Sequence, residues 1–253
     1  MAADGPPAGW RPTLREAAGS AAFFAGLVVS TVAFALAAPL SAPFPYRARY
    51  RFITRWSRFN LWWLGVTCRL HHVVEGAGNL PHEPAVVLCR HESMWETLAL
   101  QTLFAPQTWL LKKSLLRVPF FGWGLALLRP IAIDRAAGVE AMRSLVREGA
   151  RCLEDGAWVV VFPEGTRLAP GEYRGFRRGG ALLAKRTGRA VVPIAHNSGD
   201  YWRRRRFIKR PGTIRLVVGP PIAPRDASPS EITRRAEGWV RDEVESIRAR
   251  PMR

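Results

Sequence analysis

From Ala17 to Tyr46 the chain carries no charged side chain, and Ala21 through Ala38 is almost wholly apolar. A run of this length gains free energy only by leaving water, either in a protein core or in lipid. Eighteen residues of helix extend ~27 Å, close to the hydrocarbon thickness of a bilayer. A cleavable signal peptide is the rival reading, with Arg11 and Arg15 upstream and the small residues Ala37 and Ala38 downstream. The run is long for a signal core, so a membrane anchor is expected. Residues 1–16 are polar and read as a separate terminus.

After the anchor, Pro39, Pro43 and Pro45 break the helix. Arg47, Arg51, Arg55 and Arg58 then fall on one helical face, and Phe52, Trp56, Phe59 and Trp63 on another. A basic face beside an aromatic stripe suits a helix lying among lipid headgroups, although an ordinary amphipathic helix packed on its own domain has the same pattern. Six basic and no acidic residues between Phe44 and His72 favour the membrane. By the positive-inside rule this segment is cytoplasmic. The first helix then either crosses once or dips in and returns at the prolines. Residues 17–72 are thus expected to form an anchor with an amphipathic interfacial helix.

The remainder, 73–253, alternates short apolar runs with helical patterns. The runs are Ala85–Leu88, Thr108–Leu111, Pro130–Ile133, Ala157–Phe162, Ala190–Ala195 and Thr213–Val218. Helices are expected near Ser93–Leu103, Val139–Leu153, Phe176–Lys185 and Ser230–Arg248. This alternation predicts an α/β layered domain, with helices flanking a mostly parallel sheet. Chains of 253 residues with 48% hydrophobic and 23% charged residues bury a real core. The net charge of +18, with only four lysines among 38 basic residues, favours anionic partners. Cys68, Cys89 and Cys152 lie far apart without a C-x-x-C, so neither a zinc site nor a disulfide framework is suggested.

Chemistry belongs at the carboxyl ends of such strands. There His91-Glu92-Ser93-Met94-Trp95-Glu96 sets a histidine five residues before a carboxylate. Glu96, in the first helical turn, can accept the imidazole N–H, fix its tautomer and raise its basicity, which makes a general base with an orienting partner. Ser93-x-x-Glu96 is equally a capping box in which nothing reaches His91. Phe162-Pro163-Glu164-Gly165-Thr166-Arg167 ends another strand, where a tight turn offers N–H groups, a hydroxyl and a forked cation suited to phosphate. Ile133-Asp134-Arg135 ends a third with an acid and a base.

Together these blocks resemble the family of 1-acylglycerol-3-phosphate acyltransferases, the lysophosphatidic acid acyltransferases among the H-x4-D glycerophospholipid acyltransferases. The first block is the His91–Glu96 stretch. The second is similar to Lys112-Lys113-Ser114-Leu115, continuing through Val118-Pro119-Phe120-Phe121-Gly122-Trp123 to Ile133-Asp134-Arg135. Phe162–Arg167 is the third and Val191-Val192-Pro193-Ile194 the fourth. The resemblance implies a glycerol-3-phosphate acyltransferase-like domain, acyl transfer from acyl-CoA or acyl-carrier-protein to the sn-2 hydroxyl of lysophosphatidic acid, and phosphatidic acid as product. It implies His91 as general base oriented by Glu96, which stands where the family usually has aspartate. Lys112, Arg135 and Arg167 would hold the acceptor's phosphate, with Glu164, Gly165 and Thr166 shaping that pocket.

No cofactor or metal is implied. The place of action would be the cytoplasmic face of the inner membrane, with anionic lipids as partners. There is no G-x-S-x-G elbow, Cys89 reads as a buried structural thiol, and an oxyanion is expected to meet backbone N–H groups at the Ser93 helix start. Two alternatives stay open: the same chemistry on another acceptor, such as a lyso-ornithine lipid or glycerol-3-phosphate, and a membrane-tethered nucleic-acid binder. No nucleic acid is expected, because no recognised binding motif accompanies the charge. The run Tyr201-Trp202-Arg203-Arg204-Arg205-Arg206, with Lys209 and Arg210, reads as a solvated surface, a lipid contact or a dock for an acidic carrier protein, the lipid being preferred.

Overall fold

The computed structural model describes residues 10–118, 121–133 and 138–250. Within it the apolar runs become strands of one seven-stranded sheet: β1 (Leu70–Glu75), β2 (Val86–Cys89), β3 (Gln107–Lys112), β4 (Ile131–Ile133), β5 (Trp158–Val161), β6 (Val191–His196) and β7 (Gly212–Val218). Their order is β1-β7-β6-β2-β5-β3-β4. Every neighbouring pair is parallel except β6 and β7, which run antiparallel. The expected α/β domain with a mostly parallel sheet is therefore present. β1 and the antiparallel pairing of β7 were not among the expectations, and both enlarge the sheet on the side of β6.

Side chains alternate across the strands, so each face builds its own core. Val87, Cys89, Val160, Val192 and Ile194 meet Leu64, Trp95 and Leu98 on one face. Val86, Leu88, Val159, Val161 and Val191 meet Leu145, Leu153, Leu183, Ile232 and Ala236 on the other. The first layer contains α3 (Arg55–Cys68) and α4 (Trp95–Leu103); the second contains α6 (Gly138–Glu154), α7 (Gly179–Thr187) and α9 (Pro229–Ala249). Each such aliphatic side chain contributes about 1.5–3 kcal/mol on leaving water. β2 is central and buried on both faces, which is why it reads as an unbroken apolar run.

The uncharged stretch forms α1 (Leu14–Ala37), opened by a capping box between Thr13 and Glu16. It is long and apolar enough to cross a membrane, and most of its surface is exposed. Its inner face packs on α3, where Gly26 leaves no room for a side chain, since a Cβ there would lie 2.1 Å from Trp63 Nε1. Deeper along the seam Ser30 and Asn60 hydrogen-bond (3.1 Å). Both ends of α1 rest on the α/β domain. Ser20 Oγ accepts from Lys209 N (2.9 Å) near one end, and just past the other Ala38 packs with Tyr50, Ile53 and Leu128. The basic and aromatic segment forms two helices rather than one, α2 (Tyr46–Ile53) and α3, with the break at Thr54. A short α5 (Phe121–Leu127) and the one-turn α8 (Ser198–Tyr201) complete the helices among the described residues.

Candidate active site

The parallel strands β5, β2 and β6 are neighbours, so their carboxyl ends bring three loops together. β2 leads into His91, β5 into Phe162–Arg167, and β6 into His196–Ser198. Leu168 N donates to His91 O (2.8 Å) and ties the first two loops.

At their centre His91 Nδ1 lies 2.8 Å from Glu96 Oε1. The same oxygen accepts from the backbone N–H groups of Glu92 and Ser93, both at 2.9 Å. Oε2 accepts from the hydroxyls of Ser93 (2.9 Å) and Ser198 (3.0 Å). The two sequence readings of Glu96 are thus one arrangement: the carboxylate that receives the Ser93 N–H of a capping box also receives the histidine. Burial pushes the Glu96 carboxyl up, but the His91 bond, the nearby imidazoles and backbone donation outweigh it, so the group sits far below the carboxylate range. An ionised carboxylate only accepts, so Nδ1 carries the proton and Nε2 keeps its lone pair. The His91 ring stacks on Phe162, centroids 4.0 Å apart. Burial holds the imidazole below its ordinary 6.5, partly opposed by Glu96 and reinforced by the charge of Arg167.

His91 opens onto a cavity of about 840 Å³ with a lining of two kinds. Thr166, Arg167, Arg177, Arg204 and Arg205 supply polar and cationic groups. Phe34 of α1, Leu125 of α5, Met142 and Leu145 of α6, with Leu111 and Leu128, supply apolar ones. Of the sequence candidates, His91, Gly165, Thr166 and Arg167 line this space and Glu96 lies directly behind His91. Glu164 is not among the lining residues; burial drives its carboxyl up to about 8. Arg135 lies outside the described residues, as does the side chain of Lys112. The expected oxyanion contact at the helix start meets an obstacle, because Ser93 N–H is committed to Glu96. Cys89 is fully buried and its thiol is pushed well above the usual range by burial, as a structural thiol should be.

Several contributors escaped sequence reasoning. Arg177 lies over the Gly165 backbone, its Cζ 3.2 Å from where a Cβ would stand. Glu92, completely buried beside His91, accepts from Arg90 Nε (2.6 Å), Arg248 Nη2 (2.8 Å) and Gly199 N (3.0 Å). Arg248, near the end of α9, also reaches Asp200 (3.1 Å). His196 is different, because its place after the fourth block reads as a structural hydrogen bond and it makes one: Nε2 donates to Arg90 O (2.8 Å) while Nδ1 accepts from Ser198 N (3.3 Å). Partners this distant in sequence leave no local pattern. Arg204 and Arg205, which also line the cavity, did carry a signal in the uninterrupted arginine run after Trp202, read from sequence as a surface, a lipid contact or a carrier dock.

A family model described as Acyltransferase matches residues 71–197. The 1-acyl-sn-glycerol-3-phosphate acyltransferase of Pseudomonas aeruginosa is 46% identical over 207 residues, 80% of either chain. A chloroplastic 1-acyl-sn-glycerol-3-phosphate acyltransferase of Arabidopsis thaliana is 34% identical over 126 residues, 48% of this chain and 34% of that one. In fold, the chain is similar to the crystal structure of the 1-acyl-sn-glycerophosphate (LPA) acyltransferase PlsC from Thermotoga maritima. The TM-score is 0.79 at 21% identity, covering 95% of this chain and 99% of that one. The family match runs from β1 to the loop after β6 and so takes in every strand end that builds the His91 cluster, and with the Pseudomonas relative it shows that the chain belongs to the acyltransferase family.

Proposed function

We propose that this protein acylates the sn-2 hydroxyl of 1-acylglycerol-3-phosphate, drawing the acyl group from acyl-CoA or acyl-carrier-protein and releasing phosphatidic acid for phospholipid synthesis. The observation that carries the reading is the cavity itself: a histidine bound through Nδ1 shares one space with a set of arginines and a set of apolar side chains. His91 Nε2 takes the hydroxyl proton as the oxygen attacks the thioester carbonyl. The C–O bond forms, the tetrahedral intermediate collapses, the C–S bond breaks, and the imidazolium returns its proton to the leaving thiolate. Glu96 holds the ring and stabilises the imidazolium.

Arg167 and Arg177 bind the acceptor's phosphate monoester, each able to present a planar fork to two phosphate oxygens. Lys112 and Arg135 join them by the family pattern, while Gly165 and Thr166 shape the turn. Glu164, whose carboxyl burial drives up to about 8, belongs to the same turn but is not among the lining residues. The apolar side chains accommodate an acyl chain.

Residues 73–253 act as the acyltransferase domain and 17–72 as its membrane attachment. α1 rests on the domain at both ends, which supports a helix lying along one leaflet with its exposed face in lipid rather than crossing away from the domain. The arginines of α2 and α3 support attachment to anionic lipid, at the cytoplasmic face of the inner membrane in this reading.

The test is phosphatidate formation by the purified protein in mixed micelles, from lysophosphatidate with acyl-CoA and, separately, acyl-carrier-protein. Turnover should fall about 10²–10⁴-fold in His91→Ala. No phosphatidate from either donor, with acylation of a lysolipid that lacks a phosphate monoester, would overturn the acceptor assignment.

A further inference from the structure

The arginine run after Trp202 is not a freely solvated loop. Lys209 fixes it to α1: its backbone N–H donates to Ser20 Oγ (2.9 Å) and its ammonium to Phe207 O (2.8 Å). That ammonium lies 5.0, 5.1 and 5.2 Å from the ring centroids of Phe23, Trp202 and Phe207. Lys209 is itself only 4% exposed, so the loop is held in one position against the apolar helix.

What the loop presents outward is both apolar and basic. Phe207 is 50% exposed and meets Phe24 of α1, also 50% exposed, edge to face at 5.9 Å. Phe24 begins the exposed apolar face that continues through Val28, Val29 and Val32. Beside Phe207, Arg205 and Arg206 are exposed. Arg204 and Arg205 also line the His91 cavity, and Arg204 Nη1 donates to Arg167 O. One short loop therefore joins the exposed apolar side of α1 to the lining of the cavity. A large exposed ring flanked by guanidinium groups is the chemistry of the bilayer interface, where the ring enters the headgroup boundary and the cations meet lipid phosphates.

We propose that residues 203–207 form a second membrane contact, with Phe207 inserted beside Phe24 and the adjacent arginines on anionic phospholipid headgroups, so that the cavity opens at the lipid surface. The occupant is a bilayer and not an acidic carrier protein, because the exposed phenyl ring continues the apolar face of α1. The inference rests on the membrane-attached reading of residues 17–72 but not on the acyl-transfer reaction.

The experiment places a nitroxide at Phe207→Cys in the full chain on a Cys152→Ser background, since Cys68 and Cys89 are buried. The protein is reconstituted in phosphatidylcholine vesicles with and without phosphatidylglycerol. Expected is a label that collides with oxygen more often than with a water-soluble nickel complex, at a depth close to that of a label at Phe24→Cys. A label at 207 exposed to the nickel complex while that at 24 is in lipid overturns the proposal, and protection of it by added acidic carrier protein would assign the loop to that partner instead. If both labels are in water, the attachment reading of 17–72 fails as well, which separates the two failures. Arg206→Gln, with the contact of Phe207 on Phe24 left intact, should reduce the phosphatidylglycerol dependence of vesicle partitioning about fivefold; unchanged partitioning counts against the arginines as headgroup ligands.

Discussion

Glu96 and Glu164 are 0% and 1% exposed, and they follow neighbouring strands into the same site, yet they hold opposite charge states. Glu96 is ionised because two backbone N–H groups, two hydroxyls and an imidazole converge on it. Glu164 is neutral because burial outweighs the weaker help from its own N–H, Arg90 and the N–H of His91. Depth alone does not decide the charge of a buried carboxyl; the number of donors aimed at it does. In the proposed mechanism the ionised carboxylate is the one that orients the base.

A third carboxylate, Glu92, sharpens the contrast, because it stays charged mainly through Arg90 and Arg248 rather than through backbone donors. Removing Arg248 leaves a fully buried charge with half its cationic partners, a change that costs about 3 kcal/mol. Arg248→Met should therefore lower the melting temperature by ~10 °C in a chain of this size. A variant melting within a degree or so of wild type would mean that the remaining partners suffice.

Ser198→Ala removes one of the donors to Glu96 and leaves the rest. The loss of a bond to a charged group costs about 1.5–3 kcal/mol, with a fall of ~5 °C in melting temperature. The weakened hold on Oε2 should also lower kcat several-fold while changing KM little, since Ser198 is not a lining residue of the cavity. An unaltered kcat would show that the other donors fix the carboxylate alone.

Glu164→Gln makes the smallest change, because it copies the neutral acid. The native group titrates at about 8 against an ordinary 4.5, so the folded state holds the proton more tightly than the unfolded chain. Its contribution is full below about 4.5 and is lost as the pH rises through about 8. Glutamine cannot ionise, so the variant should melt a few degrees above wild type beyond about pH 8 and show no such advantage in mild acid. Melting curves at the two pH values that differ from wild type by the same amount would contradict the neutral assignment.

The readability of these features in the sequence follows their physics. β2, β5 and β6 are buried on both faces, so unbroken apolar runs betray them. β1 lies at the sheet edge with His71, His72 and Glu75 on a partly solvated strand, and its mixed pattern hides it. The antiparallel entry of β7 is a matter of register with β6, which no local pattern encodes. The break between α2 and α3 at Thr54 interrupts a continuous amphipathic periodicity without a proline or glycine to announce it. Within the site, His91, Glu96 and Arg167 were legible because each lies within a few residues of a strand end. Ser198 reaches Glu96 across 102 residues and Arg248 reaches Glu92 across 156, and only the folded topology makes those meetings.

The central claim is that an ionised Glu96 orients a neutral His91, and the most direct measurement is the pH dependence of kcat/KM for lysophosphatidate in wild type and Glu96→Gln. In wild type the acid limb should lie below the ordinary histidine value of 6.5, because the depressed imidazole stays a free base into mild acid. Glu96→Gln should keep the substrate's KM and lose about 10²-fold in the plateau, with the limb displaced further toward acid, since the carboxylate that favours the imidazolium is gone. A plateau equal to that of wild type with an unmoved limb would contradict the account and reduce Glu96 to a helix cap.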